Sequence, residues 1–357
     1  MPLIAHNKLP TYQRLLNEGR VLLDPKRAYQ QDIRELHIGF CNLMPDAVMQ
    51  ATERQFFRLI GESNRIAQLY MHPFTLPVVN RSDEMRAYID EYYEPLDKIK
   101  SEGLDALIVT GASEETNPHV SNESYWSPLK DLYEWANENV SSTLCSCLAS
   151  HAALTHIYKQ QPKLNETKRF GIYPHRVIDR SHPLVFSMNT IINAPHSKYN
   201  EITKEQFENV GFHVLAENEE AGVHVATSPD GIRFVCFQAH PEYDTFSLLK
   251  EYKREIEAYQ NGERPDYPEP PKNYFNDTSL DIILAYQKKI EHGEEPEEFP
   301  EEKLAEILDN TWTDSARAMI GNWIGCVYQI TNVDRSKQFM DGLDPQNPLN
   351  WKSKEIL

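Results

Sequence analysis

The sequence predicts an α/β fold built on a doubly wound, mainly parallel sheet. Apolar runs of strand length alternate along the chain with amphipathic helical segments, and that alternation is typical of βαβ units. Several of the apolar runs also end in residues of reactive type. Because ligands bind at the carboxyl ends of parallel strands, this agreement indicates one shared site.

Four apolar runs bounded by turn residues are the predicted strands. They cover residues 36–44, 106–110, 142–146 and 233–238. The first three end at the segments Asn-Leu-Met-Pro, Thr-Gly-Ala and Cys-Ser-Cys, and the fourth continues into Gln-Ala-His-Pro-Glu. These four ends are therefore the candidate edge for chemistry.

Helical patterns lie between these runs, at residues 52–62, 125–139 and 148–158. The first opens with Thr52 and Gln55 in the spacing of a capping box. In the second, Leu129, Leu132 and Trp135 form an apolar stripe of helical period. The third follows its strand with no intervening loop, so the chain turns sharply there.

The segment 260–310 differs from the rest in composition, because it is rich in proline and then strongly acidic. Such a composition favours a solvated surface excursion. The residues from Trp312 to Ile330 become apolar again, which predicts that the chain returns to the core.

Charge and composition exclude several classes of function. The 357 residues carry a formal net charge of −18, which argues against a general binder of nucleic acid or anionic membranes. No run is long enough for a membrane span, and the N-terminus has no apolar signal region. Five cysteines without a pattern fit a reducing compartment, so we expect a cytoplasmic protein.

Cys147 stands where a predicted strand turns into a helix. A helix N-terminus stabilises a thiolate and offers backbone N–H groups to an oxyanion, so Cys147 is a candidate nucleophile. The plainer interpretation is a buried structural cysteine, which is the commoner role of a free thiol.

His240 and Glu242 strengthen the nucleophile interpretation. Two residues apart on an extended segment, they project to the same side, where the carboxylate can orient the imidazole. With Cys147 on a neighbouring strand end they form a Cys-His-Glu triad. No HExxH motif or matched Cys/His spacing accompanies them, so we expect no metal and no resident cofactor.

Short motifs spread over nearly the whole chain carry a family resemblance. They lie at 42–45, 52–56, 58–59, 109–112, 125–126, 142–147, 152–154, 171–173, 194–199, 240–244, 273–275 and 327–331. In this order the chain resembles the homoserine O-acyltransferases, whose core resembles the flavodoxin-like fold of class I glutamine amidotransferases. The resemblance implies a single acyltransferase domain over residues 1–357.

The resemblance also implies a mechanism. Acyl-CoA, as a co-substrate, would acylate Cys147, and the hydroxyl of L-homoserine would then attack the thioester with His240 as general base and Glu242 orienting it. The backbone N–H of Leu148 is the candidate oxyanion donor, with a second from the turn at 111–112. The product would enter methionine biosynthesis, and a homodimer is expected from the family.

Four further residues fall at positions that the resemblance assigns to substrate binding. They are Lys168, Ser197, Arg254 and Glu251. Arg254 and Glu251 are three apart on a predicted helix, so they share a face that could hold an amino acid's carboxylate and ammonium groups. Their plainer interpretations are a surface lysine, a turn hydroxyl and a helix ion pair.

The acyl donor depends on one loop position in the resembled family, where glutamate goes with acetyl-CoA and glycine with succinyl-CoA. Counting forward from Gly111 places Glu115 there, and a carboxylate would repel the second carboxylate of a succinyl group. Counting back from Trp126 places Thr116 there instead. The expectation favours acetyl.

Three alternatives remain open from the residues. L-serine is one methylene shorter than homoserine, a difference that a pocket discriminates by only about 1–3 kcal/mol. A glutamine amidotransferase-type hydrolase would use the same triad, although the glycines of Gly-x-Cys-x-Gly are missing around Cys147. A metabolite-binding regulator on the same fold would not need the intact triad.

Overall fold

The computed structural model describes residues 3–20, 22–31, 33–112, 120–292 and 298–351. Its strands are β1 Glu35–Cys41, β2 Gln68–Phe74, β3 Ala106–Val109, β4 Ser142–Ser146, β5 Lys163–Val177, β6 Ile191–Glu201, β7 His213–Asn218, β8 Gly222–Thr227 and β9 Phe234–Phe237. Its helices are α1 Pro10–Asn17, α2 Pro25–Tyr29, α3 Asp46–Ser63, α4 Asp83–Tyr92, α5 Leu96–Glu102, α6 Trp126–Asn139, α7 Leu148–Tyr158, α8 Lys204–Asn209, α9 Ser247–Gln260, α10 Asp277–Glu291, α11 Glu301–Ala305 and α12 Thr313–Ile330. Two short 3-10 turns lie at Val120–Asn122 and Pro183–Val185.

The strands form one sheet in the order β2-β1-β3-β4-β9-β8-β7-β5-β6. From β2 to β9 the neighbours run parallel, and from β9 to β6 they run antiparallel. The α/β prediction is confirmed, and its four predicted strands are β1, β3, β4 and β9. The antiparallel half is larger than predicted, because β5 and β6 carry many polar residues and therefore lack a continuous apolar run.

Helices cover both faces of the parallel half, as a doubly wound sheet requires. One apolar cluster joins α1, α3 and α12 to one face, and a second joins α6 and α7 to the other. Trp323 of α12 is fully buried and donates from Nε1 to the Ser142 hydroxyl at 2.8 Å. The predicted return of the chain to the core after residue 312 is therefore confirmed.

Helix α3 begins six residues before the predicted start. Pro45 occupies its N-cap position and makes no side-chain cap, so Thr52 lies inside the helix and the predicted capping box is wrong. Residues 46–51 are its first turns. By contrast, the predicted helix at 148–158 has the same bounds as α7.

The segment 260–310 is more than a solvated excursion where it is described. It contains α10 and α11, and these pack on α9 around a third apolar cluster. Ile283 and Leu304 of this cluster are fully buried. The acidic residues dominate the composition of this segment, which is why its small apolar core was not predicted from sequence. Residues 293–297 lie outside the described residues.

Gly171 shows why one motif glycine is required. Its φ is +145°, and β5 there bridges to Lys272. A Cβ at Gly171 would lie 2.3 Å from the carbonyl oxygen of Lys272, which is well inside van der Waals contact. The close approach fixes residues 272–275 beside β5, the strand that carries the predicted substrate-binding residue Lys168.

Within the described ranges, no helix combines the length and apolar character that crossing a bilayer requires.

Candidate active site

Cys147 forms the sharp turn between β4 and α7. Its φ is 50° and its ψ is −113°, a strained conformation for a residue with a side chain. Its N–H donates to the carbonyl of Phe237 at 2.7 Å, which ties the turn to the end of β9. This turn places Cys147 at the carboxyl edge of the sheet, where the residue is 7% exposed.

The turn also brings two candidate oxyanion donors together. Leu148 is the first residue of α7, so its N–H has no partner within the helix. A Cβ added to Gly111 would lie 3.6 Å from the Cβ of Cys147 and 4.0 Å from the nitrogen of Leu148. The turn after β3 therefore closes the space beside the thiol, as the sequence analysis expects.

His240 lies opposite the thiol, and Glu242 holds it there. The distance from His240 Nδ1 to Glu242 Oε1 is 2.9 Å, and Cys147 is close enough to the imidazole to raise its pKa. The N–H of His240 donates to the carbonyl of Pro195 at 2.8 Å. Contacts to β6 and β9 thus bring the three triad residues together, although 93 residues separate Cys147 from His240 in sequence.

Electrostatics favour a charged imidazole at this site. Burial alone would lower the pKa of His240, but Glu242 and Cys147 together raise it well above its usual value. A proton on His240 and a negative charge on its neighbours stabilise each other in a buried site. The arrangement therefore favours an imidazolium beside Cys147.

Two neighbours of the triad were not predicted. Tyr243 stacks on His240 with ring centroids 4.4 Å apart. Asp244 forms ion pairs with Arg54 and Arg58 of α3. The motif His-Pro-Glu-Tyr-Asp therefore contains the candidate base, the carboxylate that holds it, a stacking ring and an anchor to α3.

Three of the four predicted substrate-binding residues meet beside this site. Glu251 of α9 accepts from Lys168 of β5 and from the hydroxyl of Ser197 on β6, each at 2.5 Å. Glu255, which the sequence analysis missed, also pairs with Lys168. Burial would lower the pKa of Lys168, but these two carboxylates raise it, so its ammonium group stays charged.

Arg254, the fourth, is exposed on α9 and forms no ion pair with another described residue. The helix ion pair with Glu251, which was its plainer interpretation, is not formed. Burial raises the pKa of Tyr243, and the guanidinium group of Arg254 opposes that shift, so Arg254 lies within electrostatic range of Tyr243. Arg254 is therefore available to an anionic ligand.

Lys198 is a further residue that the sequence analysis missed. Its side chain has no exposed surface, and its ammonium lies 3.4 Å from Glu201 Oε2. Burial lowers its pKa, whereas Glu201 and Cys147 raise it, so its charge acts on the nucleophile. The available signal was its position next to Ser197, in the motif at 194–199.

Glu115, the expected donor-selecting residue, lies outside the described residues together with Thr116.

A cluster of side chains that could bind a metal ion lies away from the triad. Among the described residues it consists of His6, His72 and Glu94 at the β2 edge of the sheet. Strands β1 and β3 separate it from β4, the strand that leads to Cys147.

Comparisons with known proteins agree with this geometry. A sequence profile of the family described as homoserine O-succinyltransferase (HTS) matches residues 2–333. A homoserine O-succinyltransferase of Allochromatium vinosum is 53% identical over 98% of this chain and 99% of its own length. The chain belongs to the homoserine O-succinyltransferase family. The predicted resemblance is confirmed, and the protein is an acyltransferase.

Other relatives carry the same name. Those of Methylobacter tundripaludum and Methylococcus capsulatus are 51% and 52% identical, each over 98% of this chain and 99% of its own length. Among solved structures, a glutamine amidotransferase of Thermotoga maritima covers 83% of this chain and 99% of its own, at 8% identity and a TM-score of 0.45. That likeness is too distant to support an inference about function.

Proposed function

We propose that this protein transfers a succinyl group from succinyl-CoA to the hydroxyl of L-homoserine, through a thioester on Cys147, in methionine biosynthesis. The observation that carries the proposal is the triad: a strained cysteine facing an imidazole that Glu242 holds at 2.9 Å, in a chain of this family. The chemistry requires no metal or resident cofactor.

In the first half-reaction, the sulfur of Cys147 attacks the thioester carbonyl of the donor. The N–H of Leu148 stabilises the oxyanion, together with the turn at Gly111. The bond between the carbonyl carbon and the sulfur of CoA then breaks. The departing thiolate takes the proton that His240 carries, so free CoA leaves an acyl-enzyme and a neutral imidazole.

In the second half-reaction, the hydroxyl of homoserine attacks the acyl-enzyme. His240 accepts the hydroxyl proton, the bond to Cys147 breaks, and the thiolate–imidazolium pair is restored. Arg254 would bind the carboxylate of homoserine, because its guanidinium can make two parallel hydrogen bonds. Glu251 and Glu255 would receive the ammonium group in exchange for part of their contact with Lys168.

The donor assignment replaces the acetyl preference of the sequence analysis. The relatives at about 50% identity are named succinyltransferases, which counts against acetyl. Lys198 supports the same choice, since a buried ammonium near Cys147 offers a partner to the second carboxylate of a succinyl group. The assignment of Glu115 also depends on the direction of counting, since counting back from Trp126 places Thr116 at that position.

Intact-protein mass spectrometry tests the mechanism. The protein is mixed with succinyl-CoA or acetyl-CoA, with and without L-homoserine or L-serine, beside a Cys147→Ala variant. We expect a succinyl adduct on the wild type only, discharged by homoserine. An acetyl adduct alone would overturn the donor, and discharge only by serine would overturn the acceptor.

If neither donor leaves an adduct and no O-acylhomoserine forms, the acyltransferase mechanism fails. A glutaminase assay then tests the hydrolase alternative. The homodimer expected from the family is a separate proposal, which light scattering on the purified protein tests.

The role of Lys198 is tested by donor discrimination. Lys198→Met keeps most of the buried volume, and we expect kcat/KM to fall at least tenfold more for succinyl-CoA than for acetyl-CoA. Equal losses for both donors would assign Lys198 to the thiolate instead. Lys204→Met is the matched control. Lys204 also forms an ion pair with a glutamate, Glu217, but it lies on α8 and not on β6.

A further inference from the structure

Three side chains from distant parts of the sequence converge at the β2 edge of the sheet. His6 comes from the N-terminal segment, His72 from β2, and Glu94 from the connection between α4 and α5. One ligand atom of each lies within 4.8 Å of the others. The site is half-buried, with His72 8% exposed, and none of the three takes part in the proposed reaction.

The hydrogen bonds of His6 leave one ring nitrogen as an acceptor. Its Nδ1 lies 3.2 Å from the carbonyl of Ile4, which favours a proton on that nitrogen. Its Nε2 lies 3.4 Å from the amide nitrogen of Asn7, a donor. Nε2 is therefore the nitrogen with a lone pair, which is the form that binds a metal ion.

His72 belongs to a chain of hydrogen bonds between two carboxylates. Glu35 Oε1 lies 3.1 Å from His37 Nε2, and His37 Nδ1 lies 2.8 Å from His72 Nε2. His72 Nδ1 then lies 2.7 Å from Glu94 Oε1. Carboxylates accept only, so these three hydrogen bonds need three protons on the two rings, whereas two neutral rings carry two. The chain requires one added positive charge.

A divalent metal ion supplies that charge without a third proton. With the metal between His72 Nδ1 and Glu94, His72 donates from Nε2 to His37, and His37 donates from Nε2 to Glu35. Every nitrogen is then satisfied by neutral rings. A metal-ligating histidine usually donates its other ring N–H to a hydrogen-bond partner that fixes the orientation of the ring. For His72 that partner would be His37, which Glu35 orients in turn.

We propose that His6, His72 and Glu94 bind one Zn²⁺ ion, which fastens the N-terminal segment to strand β2. Two imidazoles and a carboxylate form a ligand set that Zn²⁺ accepts, with water in the fourth position. Tetrahedral ligands of Zn²⁺ lie about 3.4 Å apart. His72 Nδ1 and Glu94 Oε1, which are 2.7 Å apart, therefore need to separate to admit the ion, and His6 needs to approach both. Lys98, at 2.9 Å from Glu94 Oε2, leaves Oε1 directed at the site.

The test uses the full chain with Cys147→Ser, which removes the catalytic thiol as a competing ligand. Calorimetric titration with Zn²⁺ is expected to show one ion per chain at micromolar concentrations, and the midpoint of thermal unfolding is expected to rise with Zn²⁺. His6→Ala and Glu94→Gln should each abolish both effects. His156→Ala is the matched control, because His156 pairs with Glu134 at 2.9 Å but no third ligand joins them among the described residues.

Co²⁺ provides a second readout that does not depend on stability. A site of two imidazoles and a carboxylate should give visible d–d absorption without a thiolate charge-transfer band. The proposal is overturned if no Zn²⁺ binds, if binding survives both His6→Ala and Glu94→Gln, or if Co²⁺ shows a thiolate band. Circular dichroism in EDTA establishes that each variant folds.

Discussion

The ring of Tyr243 lies against the imidazole of His240, with centroids 4.4 Å apart and planes 15° from parallel. The carbonyl of Tyr243 in turn accepts from Nε1 of Trp312 at 3.0 Å, so the stack rests on a buried side chain of the third apolar cluster. The imidazole of His240, the proposed catalytic base, is therefore held on its edge by Glu242 and on its face by Tyr243.

Removing the stacked ring should misplace the base. A buried aromatic pair contributes about 0.5–1.5 kcal/mol beyond its area, so we expect Tyr243→Leu to lower kcat/KM about tenfold. Tyr243→Phe keeps the ring and should remain near wild type. A large loss in Tyr243→Phe would instead indicate that the hydroxyl contributes to the reaction.

The pH dependence of thiol alkylation should report the triad's charge. The pKa of His240 is raised, with Glu242 the largest raising cause. In Glu242→Gln that contribution is lost, the imidazolium loses its proton at lower pH, and the thiol lacks a neighbouring cation near neutrality. We therefore expect the pH of half-maximal iodoacetamide alkylation at Cys147 to move upward, measured by intact mass.

Glu220→Gln is the control for that experiment, since Glu220 is an exposed carboxylate paired with Lys272. An unchanged alkylation profile in Glu242→Gln would contradict the thiolate–imidazolium pair.

Arg254 should serve the second half-reaction alone. Because a ping-pong mechanism separates donor from acceptor, Arg254→Met should form the acyl-enzyme at the wild-type rate but discharge it to homoserine about a hundredfold more slowly. Rapid-quench mass spectrometry measures both steps. Lys250→Met, an exposed cation on the same helix, is the control, and slowed acylation in Arg254→Met would argue against this role.

Gly171→Ala should destabilise the fold by both strain and collision. The new Cβ would meet the carbonyl of Lys272 at 2.3 Å, and we expect the free energy of unfolding to fall by about 3 kcal/mol or more. Gly262→Ala is matched, since Gly262 has a φ of +74° but no atom within 4 Å of the added Cβ; about 1–2 kcal/mol is expected there. Urea denaturation measures both, and equal losses would show that the close approach is unimportant.

The parallel half of the sheet was predictable because its strands are buried on both faces. β3 and β4 are buried throughout, so they appear in the sequence as continuous apolar runs. β5 instead carries exposed polar residues over its first half, and it exists because β6 pairs with it. Hydrogen-bonded pairing with β6 does not require apolar side chains, so the first half of β5 shows no hydrophobic pattern from which a strand could be predicted.

The parallel core, the turn at Cys147 and the pairing of His240 with Glu242 were predictable because each is recorded in a short stretch of residues. The core strands are continuous apolar runs, Cys147 lies where a strand meets a helix, and His240 and Glu242 share one extended segment. Three contacts become visible only in three dimensions: Lys168 and Ser197 with Glu251, the buried Lys198 with Glu201, and His6 with His72 and Glu94. The first and third of these contacts join segments that are far apart in sequence. Their geometry depends on strand order and helix packing, which residue spacing does not encode.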